Sequence, residues 1–140
     1  MKTLNASRWI LVIGAALTCT AVVAQQGRTD LGKREYDNNC AVCHGVAGKG
    51  DGAYADMLRK SAPDLTTMAK RNGGVFPLAR AYDVIEGAGV GHGTRDMPIW
   101  GQDYNVKAAE YYMDVPYDPQ VYVRTRILAL VEYLSRLQVK

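Results

Sequence analysis

A chain of 140 residues, 48% hydrophobic and 22% charged, has room for one domain of ordinary size and not for two. Its 17 Lys+Arg against 14 Asp+Glu leave a net charge of only +3 with no basic run, which argues against nucleic acid as a partner. One Phe and two Trp beside nine Tyr make a thin stock of core-filling aromatics, and three cysteines are an odd count that needs explaining.

Lys2 and Arg8 precede Trp9–Ala24, sixteen residues without a charge that end on Val22-Val23-Ala24 ahead of Gln25-Gln26. A positive start, an apolar stretch and a small-residue end read as a secretory signal peptide, residues 1–24, cleaved after Ala24. The alternative is an uncleaved anchor, for which the stretch falls short of the roughly 20 apolar residues that span a bilayer. A lipid-modified Cys19 is disfavoured by the bulk of Thr18 before it. Cleavage leaves a single domain over 25–140, removes Cys19, and brings the charge to +1. Export also implies an oxidising compartment, where two neighbouring thiols need a stable fate.

In the remaining chain, Thr29–Asn39 predicts a helix opening on Thr29 or Asp30, with Gly32, Tyr36 and Cys40 along one stripe. Gly45–Gly52 carries four glycines in eight residues and predicts a loop. Ala53–Lys60 reads as a short helical turn, and Asp64–Arg71 as a helix stopped by Asn72-Gly73-Gly74. Pro77–Glu86 has proline at its start and Gly87 at its end, the asymmetry of a helix. Gly87–Gly93 is a second flexible loop leading into Met97-Pro98-Ile99-Trp100-Gly101, and Asn105–Gln120 gives no clear pattern. Pro119–Leu137 is the longest helical repeat, with Val123, Ile127, Leu130, Leu134 and Leu137 at three- and four-residue spacing. The class is all-α, about 4–5 helices with long loops.

Cys40-Ala41-Val42-Cys43-His44 is C-x-x-C-H, the attachment signature of c-type haem. Two thiols one helical turn apart match the two vinyl groups of the macrocycle, and the next residue brings an imidazole under the iron. Both remaining cysteines are thereby used as thioether anchors. A redox Cys-x-x-Cys pair lacks a surrounding βαβ pattern and leaves His44 idle. A zinc site lacks donors, since only distant His92 joins Cys40, Cys43 and His44. A disulfide across two residues is strained. The Gly48-x-Gly50-x-x-Ala53 run follows no strand and is not a dinucleotide fingerprint.

For the second axial position the candidates are Met57, Met68, Met97, Met113 and His92. Met57 and Met68 fall in helical stretches, where core packing is the simpler role. Met97 follows a bendable glycine stretch and precedes Pro98, which stiffens the chain beside a ligand. Met97 is therefore the expected distal ligand with His44 proximal, and a bis-His centre through His92 is the rival.

On CAVCHG (40–45), GKGDG (48–52), APDLT (62–66), RDMPIWG (95–101) and LALVEYLSRL (128–137), the sequence resembles the class I c-type cytochromes, small bacterial periplasmic monohaem members in particular. The resemblance implies one covalent haem c and a first helix whose Gly32 and Tyr36 cross the last helix near Leu130 and Tyr133. Both tyrosines are read as packing, not as electron relays. It also implies that the Pro63 carbonyl accepts the second imidazole proton of His44. Trp100 is read either as a contact to haem or its propionate or as a buried loop aromatic, and Arg95 as an exposed arginine in preference to a partner of a propionate.

Six-coordinate iron leaves one-electron exchange as the function, so a periplasmic carrier cycling between Fe(III) and Fe(II) is expected, and not an enzyme. The alternatives are a haem subunit of a periplasmic dehydrogenase or oxidase complex, and a sensor or enzyme with a dissociable Met97. Partners are then redox proteins, with a membrane involved only if the N-terminal segment stays attached. Asp103–Gln120, with Tyr104, Tyr111, Tyr112, Met113 and Tyr117, is read as an inserted connection that meets a partner or covers one side of the haem.

Overall fold

The computed structural model describes residues 30–88, 97–114 and 116–139. Residues 1–24, read above as a signal peptide, and His92 and Arg95 lie outside the described residues. Among the described residues the chain is all-helical, with six α-helices and two 3-10 turns. Two of the six are single turns, which accounts for the excess over the four or five expected from periodicity.

Helix α1, Leu31–Asn39, opens on Asp30, whose carboxylate accepts from the Lys33 N–H at 2.9 Å. Cys40 closes α1 and opens α2, Ala41–His44. A 3-10 turn follows at Ala55–Met57, and Met57 is exposed there, not in the core expected for it. The stretch predicted as one helix over Asp64–Arg71 is split into a 3-10 turn, Leu65–Thr67, and α3, Met68–Arg71. Thr66 and Thr67 in sequence favour the tighter turn, because Asp64 accepts from both the Thr66 N–H and its hydroxyl. Helix α4, Leu78–Glu86, stops at Gly87, whose φ of +100° suits glycine.

Trp100–Tyr111 forms helix α5, where no element was expected. Its buried stripe is only Gly101, Tyr104 and Ala108, so small residues hide a helical spacing from any reading based on large apolar side chains. Glycine at 101 is required, since a Cβ there would lie 2.4 Å from the Glu86 carbonyl oxygen at the end of α4. Helix α6, Pro119–Arg136, has Asp118 as its cap and proline in its first turn.

Helices α1 and α6 cross at Gly32, where a Cβ would meet the Ala129 carbonyl oxygen at 2.0 Å. The buried side chains of α6 are Val123, Ile127, Leu130, Val131, Tyr133 and Leu134. Against them pack Tyr36 of α1, Ala81 and Ile85 of α4, and Tyr104 of α5. Tyrosine supplies the aromatic bulk that phenylalanine does not, and two hydroxyls are satisfied inside. Tyr36 donates to the Gly45 carbonyl at 2.6 Å, and Tyr104 to the Glu35 carboxylate at 2.9 Å. Glu35, buried on α1, also pairs with Arg126 of α6 and accepts from Asn39.

Candidate functional site

Helix α2 is too short to satisfy its own C-terminal carbonyls, and the glycine loop does it instead. The Gly50, Gly52 and Tyr54 N–H groups donate to the carbonyls of His44 (2.8 Å), Cys43 (3.2 Å) and Val42 (2.9 Å). The close fold-back needs glycine at 52, where a Cβ would stand 2.4 Å from the Val42 oxygen. The loop thereby fixes the pentapeptide as a rigid turn, with the Cys43 and His44 N–H groups both on the Cys40 carbonyl.

That turn forms one wall of a cavity of about 520 Å³. Cys40, Cys43 and His44 line it together with Met97, Pro98 and Trp100. Leu65, Met68, Ala81, Ile85, Leu130 and Leu134 supply apolar walls from four other elements. Such a volume with mostly apolar lining is that of a cofactor-sized site. At its rim stand Lys60, Arg71 and Arg80, three cations exposed on the surface. They suit the acidic edge of a large apolar group, a role for which the sequence does not single them out. Nothing in their local sequence separates them from solvated charges.

The electrostatics of the wall suit thioether anchors and a neutral imidazole. Cys40 is a free thiol, and burial pushes it up to about 12, with the Glu35 carboxylate and Cys43 adding to the rise. Among the described residues no group of three or more His, Cys, Asp or Glu side chains converges on a metal. Burial likewise lowers the pKa of His44, against a smaller opposing effect of the Pro63 carbonyl.

The His44 Nδ1 lies 3.1 Å from the Pro63 carbonyl oxygen. A carbonyl only accepts, so Nδ1 carries the proton and Nε2 keeps its lone pair for a metal. The acceptor comes from the APDLT segment, which the Leu65 N–H ties to the Gly48 carbonyl at 2.7 Å.

The remaining candidates separate. Met68 is half-buried and lines the same cavity, while Met113 is exposed. Trp100 is half-buried on the cavity, its ring 6.3 Å from that of Tyr104. Tyr36 and Tyr133 pack tilted with centroids 5.2 Å apart. The tyrosines of the 103–120 region do not cover the cavity. Tyr104 is in the core, while Tyr112 stacks on Tyr117 at 3.9 Å and meets Tyr111 and Tyr122 edge-on.

No curated protein and no solved structure matches the chain. A family model described as Cytochrome c matches residues 29–138. The match runs from the residue before the α1 cap to past the end of α6, and so takes in the crossing helices and every side chain of the cavity wall. With paired thiols and a neutral imidazole on one face of a cofactor-sized apolar cavity, the chain belongs to the cytochrome c family, holds haem c covalently and serves haem-based electron transfer.

Proposed function

We propose that this cytochrome is a periplasmic one-electron carrier whose haem iron is held by His44 and Met97. The observation that carries the reading is the convergence of Cys40, Cys43, His44 and Met97 on one cavity. Bound haem supplies an iron that exchanges single electrons between its ferric and ferrous states. Cys40 and Cys43 hold the group through thioethers, so it stays with the chain through every cycle. His44 offers Nε2 as a neutral donor while Pro63 keeps its Nδ1 proton. Met97 offers a soft thioether that favours the ferrous state and raises the potential. The apolar walls exclude water, which limits solvent rearrangement during transfer, and Lys60, Arg71 and Arg80 offset acidic groups at the rim.

The periplasmic assignment rests on residues 1–24 and on the paired thiols. Among the described residues no helix is long and apolar enough to cross a membrane. Service as a haem subunit of a larger oxidoreductase is the second reading, favoured by the exposed Tyr111 and Met113 beside the tyrosine cluster. A titration of the ferrous protein with carbon monoxide tests the closed iron site: slow, weak binding at neutral pH is expected. Rapid, tight binding would overturn it in favour of a sensor or enzyme with an open position. Size-exclusion of osmotic-shock extracts separates the other two readings, because a free carrier elutes as a single small protein and a subunit travels with its complex.

A further inference from the structure

We infer that Gly50 and Arg71 are positioning residues for the axial histidine, acting through the backbone of Ala62–Asp64. The inference rests on the proposal that His44 ligates the iron. Of three consecutive carbonyls in this segment, that of Ala62 closely faces Gly50, that of Pro63 faces His44 and that of Asp64 accepts from Arg71. The Pro63 oxygen faces His44 Nδ1 at 3.1 Å. That carbonyl belongs to the Pro63–Asp64 peptide, so whatever holds the backbone on either side of it bears on the direction in which it points.

On one side stands Gly50. A Cβ on this residue would lie 2.3 Å from the Ala62 oxygen and 3.4 Å from the Pro63 carbonyl carbon, and its φ is +82°. The Gly50 N–H donates to the His44 carbonyl at 2.8 Å. The residue is thus the spacer between the backbone of the histidine and the backbone that orients its ring. On the other side stands Arg71, whose Nη1 and Nη2 both donate to the Asp64 carbonyl at 3.1 Å, while Nη1 also meets the Thr67 hydroxyl. The Asp64 Oδ1 accepts from Thr66, while the guanidinium of Arg71 grips the peptide carbonyl of the same residue.

A firm Nδ1–H bond makes the imidazole a stronger donor and favours ferric iron. Loosening the Pro63 carbonyl therefore raises the reduction potential. For Arg71 the sign is diagnostic. Loss of its positive charge from the cavity rim, taken alone, favours ferric iron and lowers the potential, whereas loss of its grip on Asp64 raises it.

The test uses the haem-loaded full chain and its Gly50→Ala, Arg71→Ala and Arg71→Lys variants. The readouts are reduction potential and solvent exchange of the His44 Nδ1 proton by NMR. Gly50→Ala is expected to raise the potential and to speed exchange about tenfold, as for loss of one ordinary hydrogen bond. Arg71→Ala is expected to raise the potential despite the lost charge, and Arg71→Lys to fall between it and the parent. Unchanged exchange in both alanine variants, or a lowered potential in Arg71→Ala, would overturn the inference. Should Gly50→Ala fail to yield holoprotein, the exposed Arg71 variants decide alone. Absence of an iron-bound imidazole signal in the parent protein would instead overturn the ligation by His44 on which the inference stands.

Discussion

The Ala129 carbonyl of the last helix passes 2.0 Å from where a Cβ on Gly32 of the first helix would lie. The Tyr133 Cβ sits 2.8 Å from the same point, so two turns of α6 close on one residue of α1. A carbonyl in a helix ladder cannot rotate away, and any side chain at 32 must push the helices apart.

Gly32→Ala is accordingly expected to destabilise the holoprotein by about 2 kcal/mol, overpacking outweighing the roughly 1 kcal/mol that alanine gains over glycine within a helix. Gly73→Ala is the control, since nothing lies within 4 Å of a Cβ there. Its cost is about 1 kcal/mol, from the positive φ alone. Urea unfolding of both variants measures the difference, and equal midpoints would contradict a close crossing.

The stripe of Gly32 and Tyr36 and the α6 repeat are legible in the sequence by spacing, while their crossing is implied by the resemblance to class I c-type cytochromes. The haem-attachment turn is legible as well, being five residues whose chemistry has few other uses. What escapes is helix α5, whose inward stripe of glycine, tyrosine and alanine carries little hydrophobic signal. The buried Glu35 escapes too, because its partners come from far along the chain: Tyr104 is 69 residues away and Arg126 is 91. Charged residues in sequence read as solvated faces until the fold supplies a partner. The same holds for Arg71 and Arg80, which only the folded chain brings to the cavity rim.

Glu35 therefore supports a second prediction. Its carboxylate accepts from Tyr104 and Asn39 and pairs with Arg126, joining α1, α5 and α6. Glu35→Gln keeps the volume and part of the hydrogen bonding but leaves Arg126 without its counter-charge. Arg126 still reaches water, so the cost is expected near 2 kcal/mol, below the 3–5 kcal/mol typical of a fully buried broken pair. Arg126→Met combined with Glu35→Gln should recover part of the loss, and thermal unfolding of the two variants reads the recovery.

Asp64 sets an acid limit. Bonds from the Thr66 hydroxyl and N–H, aided by Arg71 and Lys49, hold its carboxyl below the ordinary value of 3.8. A depressed carboxyl contributes stability that is present above 3.8 and is lost as pH falls through the lower, folded-state value. Asp64→Asn removes that dependence. Its stability is expected to vary less with pH below about 4 than that of the parent. Parallel acid-unfolding curves for the two proteins would show that Asp64 plays no part.

Met97 carries the sharpest prediction for the redox centre. It shares the cavity with His44, and its own peptide leads into Pro98, which restricts how far the thioether swings. On the proposed His/Met ligation, Met97→Ala removes a neutral, soft donor that favours ferrous iron, so the reduction potential should fall. The sulfur-to-iron charge-transfer band should vanish, while both thioethers, and hence the attached haem, remain. Carbon monoxide should then bind the ferrous variant quickly, the position once closed by sulfur being open. Spectroelectrochemistry of parent and variant measures band and potential together. A band that survives the substitution would take the distal role away from Met97. A parent protein lacking the band, with a potential indifferent to the substitution, would favour ligation by His92, which bis-imidazole coordination predicts at a lower potential from the outset.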